Sequence, residues 1–317
     1  MNEQVCVVTG GAGFIGSNLV DALLDRGYRV FAVDNLLTGS EQNLSAAKKN
    51  SRFTFIRHDV TSGLPVVGPI HYLYHLASPA SVPDYQRYPE ETALVNSVGT
   101  RAMLTVAKAH GAKFLFTSTS EVYGNPSEHP QKETYWGNVN PNGIRACYDE
   151  SKRYGEMMTM LYVRSHGVDG RIARIFNTYG PRMRPTDGRV ISNFINQAIH
   201  NAPLTLYGEG NQTRSFCYVT DMVEGLILLM EREGTKGEVI NLGNPEEYTM
   251  ADLARKVMTM TGTSSEITRT ALPADDPEKR RPDISKATAL LGWTPKISVT
   301  AGLEQTIVYY RSLMPSV

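Results

Sequence analysis

Five residues, Val5-Cys6-Val7-Val8-Thr9, run without a break into Gly10-Gly11-Ala12-Gly13-Phe14-Ile15-Gly16. The first segment is short, continuous and largely β-branched, which suits a strand buried on both faces of a parallel sheet. Beyond the glycines, Ile15, Leu19, Ala22 and Leu23 recur at helical spacing, and Gly27 is placed to close that helix. A strand that meets Gly-x-Gly-x-x-Gly and then opens a helix has few uses. The glycines allow a tight turn and let backbone N–H groups approach a pyrophosphate, while the helix N-terminus adds partial positive charge. Gly10, Gly13, Phe14, Ile15 and Gly16 are therefore expected to hold a dinucleotide.

The same alternation continues. Apolar segments at 29–34, 53–58, 71–76, 113–118 and 171–175 read as strands, and 90–110 and 147–167 read as helices. This rhythm predicts an α/β fold of Rossmann type, a doubly wound parallel sheet with right-handed crossovers. After Asn177 the rhythm loosens. Two prolines and two glycines make 177–189 a loop, and helices are expected at 221–232, 249–260 and 299–311. We divide the chain into a dinucleotide-binding domain, 1–176, and a smaller C-terminal α/β substrate lobe, 177–317, some elements of which are free to return to the first domain.

Composition matters here for what it excludes. Lys+Arg and Asp+Glu both number 32, so no basic field invites nucleic acid or an anionic membrane. Cys6, Cys147 and Cys217 form neither a C-x-x-C pair nor an even-numbered framework. They fit a reduced, cytoplasmic protein, and no metal site is expected. The longest membrane-like run, 225–230, is too short to span a bilayer, and the first apolar segment is a strand rather than a signal sequence.

Asp34 ends the second strand about twenty residues after the glycines, where a carboxylate accepts ribose hydroxyls and repels a 2′-phosphate. NAD is favoured over NADP, although Lys48 and Arg57 nearby leave NADP open. Asn35 follows Asp34. Asp59 and Val60 follow the third strand and are placed to meet the adenine. Leu76, Ala77 and Ser78 put small residues where the cofactor crosses the sheet edge.

Much later comes Tyr148-Asp149-Glu150-Ser151-Lys152. A phenol and an ammonium four residues apart share one face of a helix. Tyrosine titrates near 10, so work as a base near neutrality needs nearby positive charge; a shift of about three units takes roughly 4 kcal/mol. Lys152 and a nicotinamide supply such charge, and the shift is expected downward. Thr117-Ser118-Thr119-Ser120-Glu121 ends the fifth strand, beyond which ligands bind in open α/β sheets. Thr119 is expected to hold the substrate alcohol, with Ser120 beside it. Glu121 reads either as a surface carboxylate or as a group acting on water or on the sugar.

Together, the glycine turn, the hydroxyl-bearing fifth strand and Tyr-x-x-x-Lys resemble the extended short-chain dehydrogenase/reductase family. The longer stretches Thr117–Gly124, Tyr135–Pro141, Cys147–Glu150, Ala173–Met183, Asn241–Glu247 and Asp275–Asp283 are similar to its UDP-glucuronate decarboxylase branch. The likeness runs from Val5 to about Trp293, and Ser151 departs from it by standing where glycine is expected.

The resemblance implies NAD as a recycled cofactor and UDP-glucuronate as substrate. It implies that Tyr148 takes the C4 hydroxyl proton, that C4 is oxidised, that CO2 leaves the resulting β-keto acid, and that C4 is then reduced to give UDP-xylose. By the same resemblance Glu121 acts in protonation and Arg280, rather than Arg281, receives the substrate carboxylate. The alternative is that these arginines only pair with Asp275 and Asp276. Asn177 and Arg214 are assigned to the diphosphate, Tyr207 and Gln212 to the uracil, and Arg189 and Arg182 are lesser candidates. A homodimer through the helices at 90–110 and 147–166 is implied. Rival readings are a UDP-glucuronate 4-epimerase, a 4,6-dehydratase, for which Ser120-Glu121 offers half of the usual acid/base pair, and a non-catalytic NAD-binding regulator.

Overall fold

The computed structural model describes residues 4–65, 68–272 and 277–314. Its centre is a seven-stranded parallel sheet. Strand β1 (Val5–Thr9) lies between β2 (Arg29–Asp34) and β4 (Tyr72–His75); β3 (Phe53–Arg57) closes one edge. Beyond β4 come β5 (Lys113–Thr119), β6 (Gly170–Ile175) and finally Val239–Leu242. From β1 the chain first winds outward to β2 and β3, then crosses to β4 on the other side. The carboxyl ends of β1 and β4 therefore part at a switch point, where a crevice opens for a ligand. His75 Nδ1 and Thr9 Oγ1 lie 2.7 Å apart across that point and tie the two strand ends together.

Strand alternation distributes the core. Cys6 and Val8 pack in one layer with α1 (Phe14–Asp25) and helix Val219–Glu231. Val7 packs in the opposite layer with Met103, Leu104, Phe114, Phe116 and Met158. Each such side chain contributes about 1.5–3 kcal/mol when fully buried, which explains the uninterrupted apolar reading of β1.

Helix Ala146–His166 lies on this second layer. A Cβ at Gly155 would meet Phe116 Cζ at 2.3 Å. Glycine in a helix costs about 0.5–1 kcal/mol relative to alanine; here it lets the helix ride close on β5 and sets Tyr148 and Lys152 over the strand end.

The structure adds detail to the sequence reading at three places. The expected helix at 90–110 runs from Pro89 to His110 and contains one wide π turn at Val95–Gly99, and helix Val82–Arg87 precedes it. Pro89 begins a new helix, and the wide turn directs Asn96 inward, where its Nδ2 donates to Ser78 Oγ (3.0 Å) and to Ser151 Oγ (3.1 Å). The hydroxyl that replaces the expected glycine is thus used in this buried link. The loop at 177–189 contains a short strand, Thr178–Tyr179, paired with Cys217–Tyr218. Finally, Val239–Leu242 returns from the second half of the chain to pair with β6, a return that the division at 176 left open.

The smaller lobe carries two further sheets. One joins Glu247–Thr249, Thr213–Ser215 and Lys279–Arg280; the other joins Leu204–Tyr207 and Ile267–Thr270. Gln131 N–H donates to Arg281 O (2.9 Å), and Asp283 N–H donates to Gln131 O (2.8 Å), clasping the 279–283 segment to the large domain. Asp275 and Asp276 lie outside the described residues. Among those described, no helix is long and apolar enough to cross a membrane.

Candidate active site

A cavity of about 950 Å³ runs along the carboxyl ends of the strands and into the smaller lobe. At one end Gly10, Gly13, Phe14, Ile15 and Gly16 form its wall, with Asp34, Asn35, Asp59, Val60, Leu76, Ala77 and Ser78. Towards the other end the wall includes Thr119, Ser120, Glu121, Tyr148, Lys152, Asn177, Arg189, Tyr207, Gln212 and Arg214. Residues read as candidates from positions 10 to 214 thus converge on one space.

Backbone closeness builds the glycine end. Gly10 has φ +70, and a Cβ there would meet Ala77 N at 2.8 Å; a Cβ on Gly16 would meet Gly10 O at 2.0 Å. Side chains would push the turn away from β4 and from the helix start. Asp34 accepts N–H hydrogen bonds from Ala12 (Oδ2, 3.0 Å) and Leu36 (Oδ1, 2.8 Å). Burial raises its carboxyl above the ordinary value, opposed by those two N–H groups. Asn35 Nδ2 and the Thr61 N–H and hydroxyl all donate to Asp59, so Asp59 is engaged by its own loop. Lys48 pairs with Glu41 at 2.6 Å, and neither Lys48 nor Arg57 lines the cavity.

At the other end, Tyr148 is buried and its ring stacks on Tyr85, with centroids 5.0 Å apart and planes 6° from parallel. Lys152 is also buried; its Nζ donates to Thr117 O at 2.8 Å and lies 5.8 Å from the Tyr148 ring centroid. Burial pushes Lys152 down to about 7, with Glu156 opposing. Burial also pushes Tyr148 up to about 12, opposed by a hydrogen bond with Thr119. Among the chain's own groups, then, desolvation outweighs the positive charge, so the expected downward shift falls to the nicotinamide to supply.

Glu121 sits in the turn Ser120–Tyr123 that follows β5. Arg145 Nη2 donates to its Oε2 at 2.6 Å, and Arg280 Nη1 donates to its Oε1 at 3.1 Å. Burial would raise this carboxyl, but Arg280, Arg145 and Arg214 outweigh it and hold Glu121 below the ordinary value. The surface-carboxylate reading of Glu121 is thereby removed.

Arg280 stands apart from the other predicted residues because it does not line the cavity. It is 1% exposed and donates to Ser120 Oγ (3.0 Å) and Gly124 O (2.7 Å) as well as to Glu121. Its guanidinium is thus held by the chain's own groups, two of which, Ser120 and Glu121, line the cavity. The guanidinium lies behind Glu121, held there by strand pairing of Lys279–Arg280 with Thr213–Ser215.

Among the cavity residues that the sequence reading does not name are Tyr85 and Arg145. Tyr85 lies in helix Val82–Arg87, a stretch to which the sequence reading assigns no element. Arg145 had a signal: three residues before Tyr148, it belongs to the same first turn. Further along, Arg189 forms a two-point pair with Asp187 (2.6 and 3.0 Å), and Gln212 Nε2 donates to Tyr207 O (3.0 Å). Arg182 Nη2 pairs with Asp21 at 2.5 Å, joining the 177–189 segment to α1.

The sequence pattern of the NAD dependent epimerase/dehydratase family matches residues 6–243, the span that carries the glycine turn and the Tyr148–Lys152 pair. The chain belongs to that family. Within it, the chain is 54% identical to UDP-glucuronic acid decarboxylase 1 of Arabidopsis thaliana over 96% of this chain and 69% of that protein. It is 48% identical to UDP-glucuronic acid decarboxylase 1 of Xenopus tropicalis over 96% of this chain and 72% of that protein. Among solved structures it resembles UDP-glucuronic acid 4-epimerase of Bacillus cereus in complex with UDP-glucuronic acid and NAD. That match has a TM-score of 0.90 and 31% identity, covering 98% of this chain and 100% of that one.

NAD, the cofactor of the family, fits the glycine end. The turn is a cradle that any Cβ at Gly10 or Gly16 would fill, and buried Asp34 retains carboxylate lone pairs for hydroxyl donors. Among the described residues, no group of three or more His, Cys, Asp or Glu is arranged to hold a metal ion.

Proposed function

We propose that this chain is a UDP-glucuronate decarboxylase that forms UDP-xylose and CO2. The observation that carries the reading is the 54% identity to a protein of that name over 96% of the chain, against 31% to the structurally similar 4-epimerase. The cavity supports it, because the end that would receive the sugar holds a carboxylate fixed between two guanidinium groups beside the Tyr148 phenol.

Gly10, Gly13 and Gly16 would admit the pyrophosphate and Asp34 the ribose. When bound, NAD supplies an acceptor for the C4 hydride, returns it later, and adds positive charge beside the phenol. Tyr148, held by Thr119, takes the C4 hydroxyl proton and gives it back when C4 is reduced. Lys152 keeps a positive charge near the phenol and is itself oriented by the Thr117 carbonyl. Oxidation at C4 makes the substrate a β-keto acid, from which CO2 leaves as its electrons pass into an enolate. Arg145, the cavity-facing partner of Glu121, is better placed than Arg280 to meet the substrate carboxylate. Arg214 and Asn177 would hold the diphosphate, and Tyr207 with Gln212 the uracil.

We further read the protein as a cytoplasmic homodimer. Leu94, Val98, Tyr154, Met157 and Leu161 are exposed on the helices expected to pair, and Cys6, Cys147 and Cys217 are all free. Sedimentation of the purified protein tests the dimer. The activity is tested by incubating it with UDP-glucuronate and catalytic NAD, then identifying products by mass and NMR. UDP-xylose with CO2 is expected; UDP-galacturonate with its carboxylate intact would overturn the reading.

A further inference from the structure

Decarboxylation has a proton balance that 4-epimerisation lacks. The sum is R–COO⁻ + H⁺ → R–H + CO2: the C–C bond breaks, its electron pair passes through the enolate, and a new C5–H bond forms. Tyr148 takes one proton from the C4 hydroxyl and returns one, so it contributes none to this sum. One further proton must enter the site in each turnover.

Asp149 follows Tyr148 in the chain and points into the protein, 7% exposed. Its Oδ1 finds no hydrogen-bond donor among the described residues. It stands one helical turn from Arg145, to whose carbonyl its own N–H donates at 3.1 Å, and Arg145 in turn holds Glu121. Glu121 and Arg145 both act on the Asp149 carboxyl through space, and of the two carboxyl groups only Glu121 lines the cavity. A buried carboxylate oxygen without a donor costs several kcal/mol, a cost that protonation removes.

We propose that Asp149 stores the proton consumed in decarboxylation and delivers it to C5 through Glu121. The step balances: the Asp149 carboxyl passes its proton to the Glu121 carboxylate, and Glu121 protonates the C5 enolate and returns to its ionised form. Asp149 is then recharged from solvent. This inference rests on the decarboxylase reading above. Charge placement agrees with it, since burial and Glu121 push Asp149 up to about 7, against Arg145 and Arg280, while Glu121 is held low. The groups facing Asp149 are Tyr85 from helix Val82–Arg87, Glu121, Arg280, and Arg145, Cys147, Tyr148 and Glu150 from its own segment.

Asp149→Asn keeps the shape and removes the store. Acting through Glu121, Asp149 is a positioning and supply residue, so the readout must be one that a structural role leaves unmoved. UDP-xylose formation from UDP-glucuronate and catalytic NAD is measured in H2O and D2O across pH 6–9. We expect a fall of about tenfold or more, a larger solvent isotope effect, and loss of the decline in rate that the parent shows as pH rises through about 7. Asp149→Glu, which restores an acid, should recover most of the rate. An Asp149→Asn protein with the parent's rate, isotope effect and pH profile overturns the proposal. If Asp149→Asn fails to bind NAD or to fold, Asp149→Glu decides, because a relocated acid must shift the pH profile and an unshifted one overturns the proposal. A parent protein that makes UDP-galacturonate instead overturns the decarboxylase reading; a parent that makes UDP-xylose at the rate of Asp149→Asn overturns the proton store alone.

Discussion

At the glycine end of the cavity, the wall comes largely from neighbouring parts of the chain and presents backbone. At the sugar end, Glu121 and Arg280 meet across 159 residues, and the wall presents ionised side chains. The first end is defined by what is missing, a Cβ at Gly10 and Gly16, so its tolerance is set by sterics. The second is defined by charges withdrawn from water, which are costly singly and tolerable only as a set. Damage should therefore differ in kind. Crowding the glycine end should weaken cofactor binding at any pH. Removing a charge at the sugar end should alter stability and rate in a pH-dependent way.

The largest effect should come from Tyr148→Phe, which removes the proton acceptor and leaves the ring stacked on Tyr85. Turnover should fall by roughly 10²–10⁴-fold with NAD affinity, measured by fluorescence titration, nearly unchanged. Loss of NAD binding in that variant would mean that the two ends are not separable.

Next is Arg280→Met. Breaking a buried ion pair costs about 3–5 kcal/mol. The sign with pH follows from Glu121. Its carboxyl is held low in the folded protein, so it adds stability above the ordinary carboxylate range, and that stability is lost as pH falls. Urea unfolding should show a large deficit for the variant at pH 7 that narrows towards pH 4. An equal deficit at both values would mean that packing, not charge, is what Arg280 supplies.

Gly16→Ala should cost about 1–3 kcal/mol, because the added methyl meets the Gly10 carbonyl, and should weaken NAD binding equally at pH 6 and pH 8. A pH-dependent loss there would blur the contrast between the ends.

The smallest effect is expected from pH itself on Lys152. Burial holds its ammonium near 7, so its charge is lost as pH rises through that value. Asp149→Asn, if it abolishes only part of the alkaline decline, exposes the remainder, which Lys152→Arg should then remove. Persistence of that remainder in the arginine variant would detach Lys152 from the pH response.

Most of the fold was legible because its signals are local. Strand β1, the turn and α1 are contiguous, and each buried strand announces itself as a short apolar run. The helix at 90–110 is legible, but its π turn at Val95–Gly99 is not, because that turn is accompanied by tertiary links from Asn96 to Ser78 and Ser151. Tyr85 is not legible because Val82–Arg87 is only six residues long and carries a proline, Pro83, in its first turn.

Gly10 to Gly16, Asp34, and Tyr148 with Lys152 were determined by sequence alone, since a turn, a strand end and a helical spacing of four are properties of nearby residues. Which arginine faces the cavity was decided only by the tertiary structure. Arg280 and Arg281 are neighbours in a basic run, and nothing in that run says that Arg280 is drawn beneath Glu121 while Arg145 takes the cavity side. Nor does the pentapeptide Tyr148–Lys152 reveal that burial drives its phenol up and its ammonium down. Desolvation depends on every group packed around a charge, and those groups come from strands, turns and lobes far apart in the chain.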